Sequence, residues 1–127
     1  MKLDLVNCIG VSTSLAPAAR TTTANGTGIS LAGFNSVAIL FVVGAITDGT
    51  HTVKVQESDD NSTYTDVAAA DLIGSLSALS ANTNQKVGYK GSKPYVRAVT
   101  TITGSPSTGG VYSAVVIRGD ATKQPVS

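Results

Sequence analysis

Length, composition and charge limit what this chain can be. Its 127 residues are enough for one domain and too few for two ordinary ones. Charged residues make up 13% of the chain and the formal net charge is +1, so no electrostatic footprint for nucleic acid or an anionic membrane is present. The longest apolar run, residues 37–46, has roughly half the length that a transmembrane helix needs.

The N-terminal region, residues 1–27, is predicted to be an extended segment or arm that precedes the main domain. A first strand is predicted over residues 6–11, and the polar stretch 12–27 has no sustained period, which is typical of an arm or long loop. No secretory signal is recognisable, so we expect the protein to be made and folded in the cytoplasm. Cys8 has no partner cysteine and is interpreted as a small apolar strand residue rather than a reactive thiol.

Residues 28–127 are predicted to form the folded domain. Residues 28–31 alternate as a short strand, and residues 37–43 are apolar on both faces, as in a central strand that is covered on each side. The Asp48-Gly49 pair favours a tight turn, so the central strand is expected to turn back into residues 52–57.

A second hairpin is predicted over residues 53–67. Val53 and Val55 point to one face of the strand while the polar residues between them point to the other. Four short polar residues, Asp59 to Ser62, can then hydrogen-bond their own backbone through a reversal, and an extended run resumes at Tyr64.

The remaining segments complete an all-β pattern. At most one short helix is expected around residues 68–80, where leucines recur at helical spacing but Gly74 interrupts them. Strands are predicted over residues 85–89, 95–103 and 111–118, with Val96, Ala98 and Thr100 facing inward in one and Val115, Val116 and Ile117 filling the core in another. About 7–8 strands separated by turns predict an antiparallel β-sandwich or jelly roll.

No catalytic, cofactor or metal site is predicted. His51 is the only histidine, and its place at a strand entry after a turn is interpreted as an exposed turn position rather than a base or ligand. Asp59, Asp60 and Asn61 could supply oxygens to calcium, but the spacing of an EF-hand is absent and a turn is favoured. We therefore expect a protein that is not an enzyme.

The larger polar side chains are assigned to strands. The tyrosines Tyr64, Tyr89, Tyr95 and Tyr112 are interpreted as residues at the edge of the core rather than a stacking platform for sugars or bases. Arg97 and Arg118 alternate with apolar neighbours, so each could pair with a carboxylate on the solvent face or lie in an interface.

Three segments carry a resemblance to a known group of proteins. They are VKVQESDDNSTY at residues 53–64, VGYKGSKPYVR at 87–97 and AVVIRG at 114–119. Together they resemble small structural proteins of tailed phages encoded near the capsid genes, over about residues 20–127. Where such proteins often have Lys-Arg before Tyr-Val-Arg, this chain has Lys93 and Pro94.

The resemblance implies a capsid decoration, or cement, protein without catalysis. Such proteins bind the outside of the phage head, so the expected partners are the major capsid protein and further copies of this chain, as a homotrimer, in the virion. Candidate contacts are residues 1–27, which could add a strand to a neighbour, and the loops 48–50 and 104–110. The alternative is a carbohydrate- or receptor-binding module at the tail or head surface, with glycan binding that depends on Tyr64 or Tyr112.

Overall fold

A computed structural model describes residues 4–121 of the chain, which form two antiparallel β-sheets packed face to face. Within these residues the strands are β1 (Gly10–Arg20), β2 (Ala24–Asn25), β3 (Ile29–Ser30), β4 (Phe34–Ile46), β5 (Thr50–Ser58), β6 (Thr65–Asp66), β7 (Leu72–Ile73), β8 (Asn84–Tyr89), β9 (Tyr95–Thr103) and β10 (Gly110–Ala121). The predicted all-β sandwich is confirmed, and the additional strands beyond the predicted 7–8 are mostly two-residue pairings.

The order of the strands defines two layers. Sheet A runs β1-β10-β4-β8-β7, and sheet B runs β2-β9-β5-β6, with β3 also pairing with β9. β4 lies between β10 and β8, as predicted for a central strand. β4 and β5 are joined by the tight turn at residues 47–49, where Gly49 has a φ of 81° that favours glycine.

The core lies between the layers and follows the alternation of the strands. Inward residues of β4, β5, β9 and β10 are nearly inaccessible: Ile39, Phe41, Val53, Val55, Val96, Ala98, Tyr112, Ala114 and Val116. The predicted inward positions of β9 are confirmed, because Thr100 is also buried. On β10, only Val116 of the three predicted core residues faces inward. Val115 and Ile117 are its immediate neighbours along the strand, so their side chains point to the outer face.

The N-terminal segment differs from its prediction. Residues 6–8 form a turn rather than a strand, because the Asp4 carboxylate accepts hydrogen bonds from the backbone and side chain of Asn7. Cys8 lies in this turn, half-buried, and donates to the backbone of Asp4. The stretch predicted as a loop from residue 12 contains most of β1, whose two irregularities in register break the alternation that would have revealed a strand.

β1 also contacts the opposite layer at Ser14. The Ser14 hydroxyl accepts from the Ala98 backbone N–H at 2.9 Å and donates to the Thr27 carbonyl at 2.8 Å, while the Ser14 carbonyl accepts from the Thr27 N–H at 2.7 Å. Gly26 passes so close that a Cβ atom there would lie 2.4 Å from the Ser14 hydroxyl oxygen. These hydrogen bonds join β1 of sheet A to β9 of sheet B along one long side of the sandwich.

The outer face of sheet A is less covered than the sequence predicts. β4 was expected to be covered on both faces, but among residues 4–121 no element packs over its outward side, where Leu40 is half-buried and Val42 is 45% exposed. Helical structure around residues 68–80 is limited to one 3-10 turn, Ala69–Asp71. This agrees with the prediction of at most one short helix there. The chain then enters β7 and reaches Gly74, whose φ is 95°.

Candidate functional site

Three loops meet at one end of the sandwich and form what we call the loop end, residues 21–23, 47–49 and 104–109. All three overlap sequence-predicted contact regions, since residues 21–23, which follow β1, belong to the predicted N-terminal arm. A Cβ on Gly49 would lie 2.8 Å from the Pro106 ring, and the Ile102 backbone donates to the Thr23 hydroxyl at 3.1 Å. Between residues 21–23 and 102–106 lies a shallow groove of about 470 Å³, and four of its eight lining residues are threonines.

The Asp48 carboxylate holds the loop end together. It accepts from the backbone N–H groups of Ser107 at 2.9 Å, of Thr108 at 3.2 Å, and of Gly109. Those hydrogen bonds, from Gly109 first and then Ser107, lower the pKa of the Asp48 carboxyl below its ordinary value. The two loops that the sequence assigned separately are therefore fixed to each other by one ionised side chain.

His51 lies directly beneath the loop end and is buried rather than exposed. It is 1% exposed, because β5 begins at Thr50 and the alternation that points Val53 and Val55 inward also points His51 inward. The prediction of an exposed turn residue is therefore wrong. His51, Val53 and Val55 are two residues apart along β5 and therefore point to the same face. This spacing was the sequence signal that could have identified His51 as a core residue.

The His51 ring belongs to a buried chain of hydrogen bonds. Its Nε2 lies 3.0 Å from the Asp48 carbonyl, which can only accept, so Nε2 carries the proton. Nδ1 then accepts from the Tyr112 hydroxyl at 3.0 Å, and the Tyr112 oxygen accepts from the Thr100 hydroxyl at 2.6 Å. Both ring nitrogens are occupied by neutral partners, so the ring links the loop end to the core of the sandwich.

The turn at residues 58–64 uses its oxygens for its own backbone. One Asp60 carboxylate oxygen accepts from the Ser62 and Thr63 N–H groups at 2.9 Å each, and the Ser58 hydroxyl accepts from the Asp60 N–H at 3.1 Å. The backbone hydrogen bonds lower the pKa of the Asp60 carboxyl. Asn61 has a φ of 60° and its amide oxygen accepts from Tyr64. The predicted turn is confirmed.

Residues 4–121 contain no group of three or more His, Cys, Asp or Glu side chains placed to hold a metal ion. No helix within the same residues is long and apolar enough to cross a membrane.

The tyrosines occupy different environments. Burial raises the pKa of Tyr89 to about 12, and its hydroxyl donates to Glu57 at 2.8 Å and accepts from the Lys93 N–H at 3.1 Å. Tyr112 is 2% exposed, so it is deeper than the predicted edge position and has no face available for stacking on a sugar. The ring of Tyr64 is covered by Arg97, whose guanidinium carbon lies 4.1 Å from the ring centroid.

Neither arginine singled out in the sequence pairs with a carboxylate in the described residues. Arg97 donates to the Gln56 side-chain oxygen through two nitrogens, at 2.9 and 2.7 Å, on the outer face of sheet B. Arg118 donates to the Ser30 carbonyl at 3.0 Å and the Ser12 hydroxyl at 2.8 Å, at the end of the sandwich opposite the loop end. Both therefore support neighbouring strands.

Comparison with known proteins identifies the fold. No protein-family model matches the chain, and no curated protein matches it significantly in sequence. The structure is similar to that of the SPBc2 prophage-derived protein YomS, with a TM-score of 0.56 over 87% of this chain and 91% of that protein, at 17% identity. A chain from the structure of infectious bursal disease virus, Gx strain, gives a TM-score of 0.48 at 13% identity, covering 92% of this chain and 34% of that one. The likeness to YomS at this identity shows a shared fold.

Proposed function

We propose that this protein is a non-enzymatic viral structural protein that decorates the outer surface of a phage head and stabilises the shell. The observation that carries the proposal is the fold shared with a prophage-derived protein over nearly the full length of both chains. The resemblance of residues 53–64, 87–97 and 114–119 to phage structural proteins points in the same direction. The expected partners are the major capsid protein and further copies of this chain.

The loop end is the proposed contact with the shell. It exposes threonine and serine hydroxyls, which can hydrogen-bond to a protein surface without the desolvation cost of a charge. Because Asp48 fixes the loop at residues 104–109, that loop loses little conformational freedom on binding. The Asp48 carboxylate points at backbone N–H groups rather than at the partner, so its contribution to binding is to hold the loop in one conformation.

Stabilisation of the shell would follow from mass action. A protein that binds the assembled shell but not its separated subunits lowers the free energy of the assembled state. A capsid offers many equivalent sites, so weak individual contacts contribute to a large total. The role requires a rigid surface and does not require a reacting group.

The decisive experiment is a cryo-EM reconstruction of particles made by the phage or prophage that encodes the chain, with the copy number measured by quantitative mass spectrometry. We expect density for the sandwich on the head exterior and a copy number that matches the shell lattice. Absence from mature particles, or a handful of copies at the tail, would refute the proposal.

A matched pair of variants tests the loop end. Purified protein is added to heads that lack it, and the temperature at which the shells release DNA is recorded. Thr22→Glu adds a charge to the loop end and is expected to weaken binding, while Thr52→Glu adds the same charge to an exposed position on sheet B and is expected to leave binding unchanged. Equal effects of the two variants would show that the loop end is not the contact.

A further inference from the structure

The outer face of sheet A is largely apolar across its five strands, and the outward polar residues between the apolar ones are Thr13, Ser36, Asn84, Lys86 and Ser113. We call it the apolar face, and its outward apolar residues are Val11, Ala38, Leu40, Val42, Ile73, Val111, Val115 and Ile117. Four of them are among the most exposed large hydrophobic residues described: Ile73 at 62%, Val11 at 57%, Val42 at 45% and Val111 at 44%. Contiguous exposed apolar surface of this kind marks an interaction site in a folded protein.

The outer face of sheet B has the opposite character. Lys54 forms an ion pair of 3.0 Å with Asp66, Gln56 donates to Asp66 at 2.9 Å, and Arg97 donates to Gln56. Among the described residues, Lys86 is the one charged side chain on the apolar face. Val99, an outward apolar residue of β9, is 3% exposed, so the outer face of sheet B presents mainly polar side chains to solvent, whereas that of sheet A exposes large apolar ones.

The size of the apolar face is sufficient for a stable contact. Five strands about 4.8 Å apart and the seven residues from Val111 to Ile117 at about 3.3 Å each give a patch of roughly 550 Å². Covering this patch on two copies buries roughly 1,100 Å², which is above the roughly 1,000 Å² expected of a specific interface and exceeds most lattice contacts. A high apolar fraction with few charges is characteristic of contacts between identical subunits.

We propose that the apolar face packs against the same face of a second copy, related by a two-fold axis parallel to the strands. Val11, Ile117, Ala38 and Gly88 lie in one row across the sheet. In this row the two-fold places Ile117 over Ala38 and Val11 over Gly88, so that large residues meet small ones, and in the next row it places Val115 over Leu40. It also places each Lys86 over Thr13 of the other copy, so the two Lys86 residues lie three strand spacings, about 14 Å, apart.

This contact accounts for an otherwise unexplained property of the central strand. Residues 37–43 carry apolar side chains on both faces, although the fold of one copy covers only the inward face. A second copy supplies the missing layer, as one sheet packs on another about 10 Å away in a sandwich. The contact is two-fold, so it predicts a dimer in solution, whereas a homotrimer would have to use another surface.

The test measures the mass of the purified chain by sedimentation equilibrium across a concentration series. We expect a dimer for the unaltered chain. Val42→Glu places a charge at the centre of the contact and is expected to raise the dissociation constant at least about tenfold. Thr101→Glu, at an exposed outward position of sheet B, serves as the matched control and is expected to leave the dimer unchanged.

Folding of each variant is checked by its circular-dichroism spectrum and urea midpoint, and Val111→Glu provides a second substitution on the apolar face. A monomer at every concentration, a trimer, or a dimer that Val42→Glu and Val111→Glu both leave intact would overturn the inference. Those outcomes concern the purified chain alone, so they do not decide whether it binds a phage head.

Discussion

Removing the hydroxyl of Tyr112 tests whether the buried hydrogen-bond chain stabilises the fold. Tyr112→Phe deletes one oxygen atom and preserves the ring that packs edge-on against His51 at 5.3 Å. The deletion removes the bonds of 3.0 Å to His51 Nδ1 and 2.6 Å to the Thr100 hydroxyl. Both partners stay buried, at 1% and 0% exposure, so neither is solvated in exchange.

The magnitude follows from the two partners left unsatisfied. Each buried polar group without a hydrogen bond costs about 1–3 kcal/mol, so the free energy of unfolding should fall by about 2–6 kcal/mol. Tyr95→Phe is the matched control: Tyr95 is half-buried at the start of β9, with no hydroxyl hydrogen bond within residues 4–121, and its change should stay within about 0.5 kcal/mol.

Urea unfolding of the wild-type chain and the two variants, followed by circular dichroism, gives these free energies. Thr100→Val removes the other partner of the Thr100–Tyr112 hydrogen bond. The free energy of unfolding lost in the double variant Tyr112→Phe/Thr100→Val should therefore be smaller than the sum of the losses in the two single variants. A Tyr112→Phe loss no larger than that of Tyr95→Phe would refute the reasoning. If the losses of the two single variants add up fully in the double variant, Tyr112 and Thr100 do not share a stabilising hydrogen bond.

Three further predictions concern neighbouring features. Nitrogen-15 NMR should find the neutral His51 ring in the tautomer that carries its proton on Nε2, and the Nδ1 tautomer would contradict the assigned direction of the hydrogen-bond chain. The pKa of Asp48 is lowered on folding, so its contribution is present above the ordinary value of 3.8 and is lost as the pH falls below it; Asp48→Asn should flatten the acid side of the stability profile, and an unchanged slope would contradict this. Gly26→Ala should cost about 1–3 kcal/mol because a Cβ has no room, whereas Gly119→Ala, where the nearest atom lies 3.8 Å away, should cost less than Gly26→Ala.

The sequence predicted the layered β fold because alternation and turn chemistry agree over most of the chain. Asp48-Gly49 and the cluster from Asp59 to Ser62 gave the correct reversals, and the apolar run at residues 37–43 gave the central strand. The two loops named as contacts, 48–50 and 104–110, do come together. Their joining by the Asp48 carboxylate depends on a separation of about sixty residues, which no local pattern contains.

The errors have separate physical causes. β1 was missed because its bulges change which face each side chain points to, and periodicity cannot follow such a change. His51 was misplaced because its polarity was given more weight than its parity with Val53, and its partner Tyr112 lies 61 positions further along the chain. The coverage of β4 was overestimated because two-sided hydrophobicity does not distinguish a layer of the same chain from a layer supplied by another molecule.

The bonds that Ser14 makes across the sandwich have a consequence for assembly. A long terminal edge strand is the element most readily exchanged in domain swapping. Here such an exchange would have to rupture the pairing with β10 and also the contacts to Ala98 and Thr27. Each copy should therefore retain its own β1, and oligomers should form and dissociate without partial unfolding.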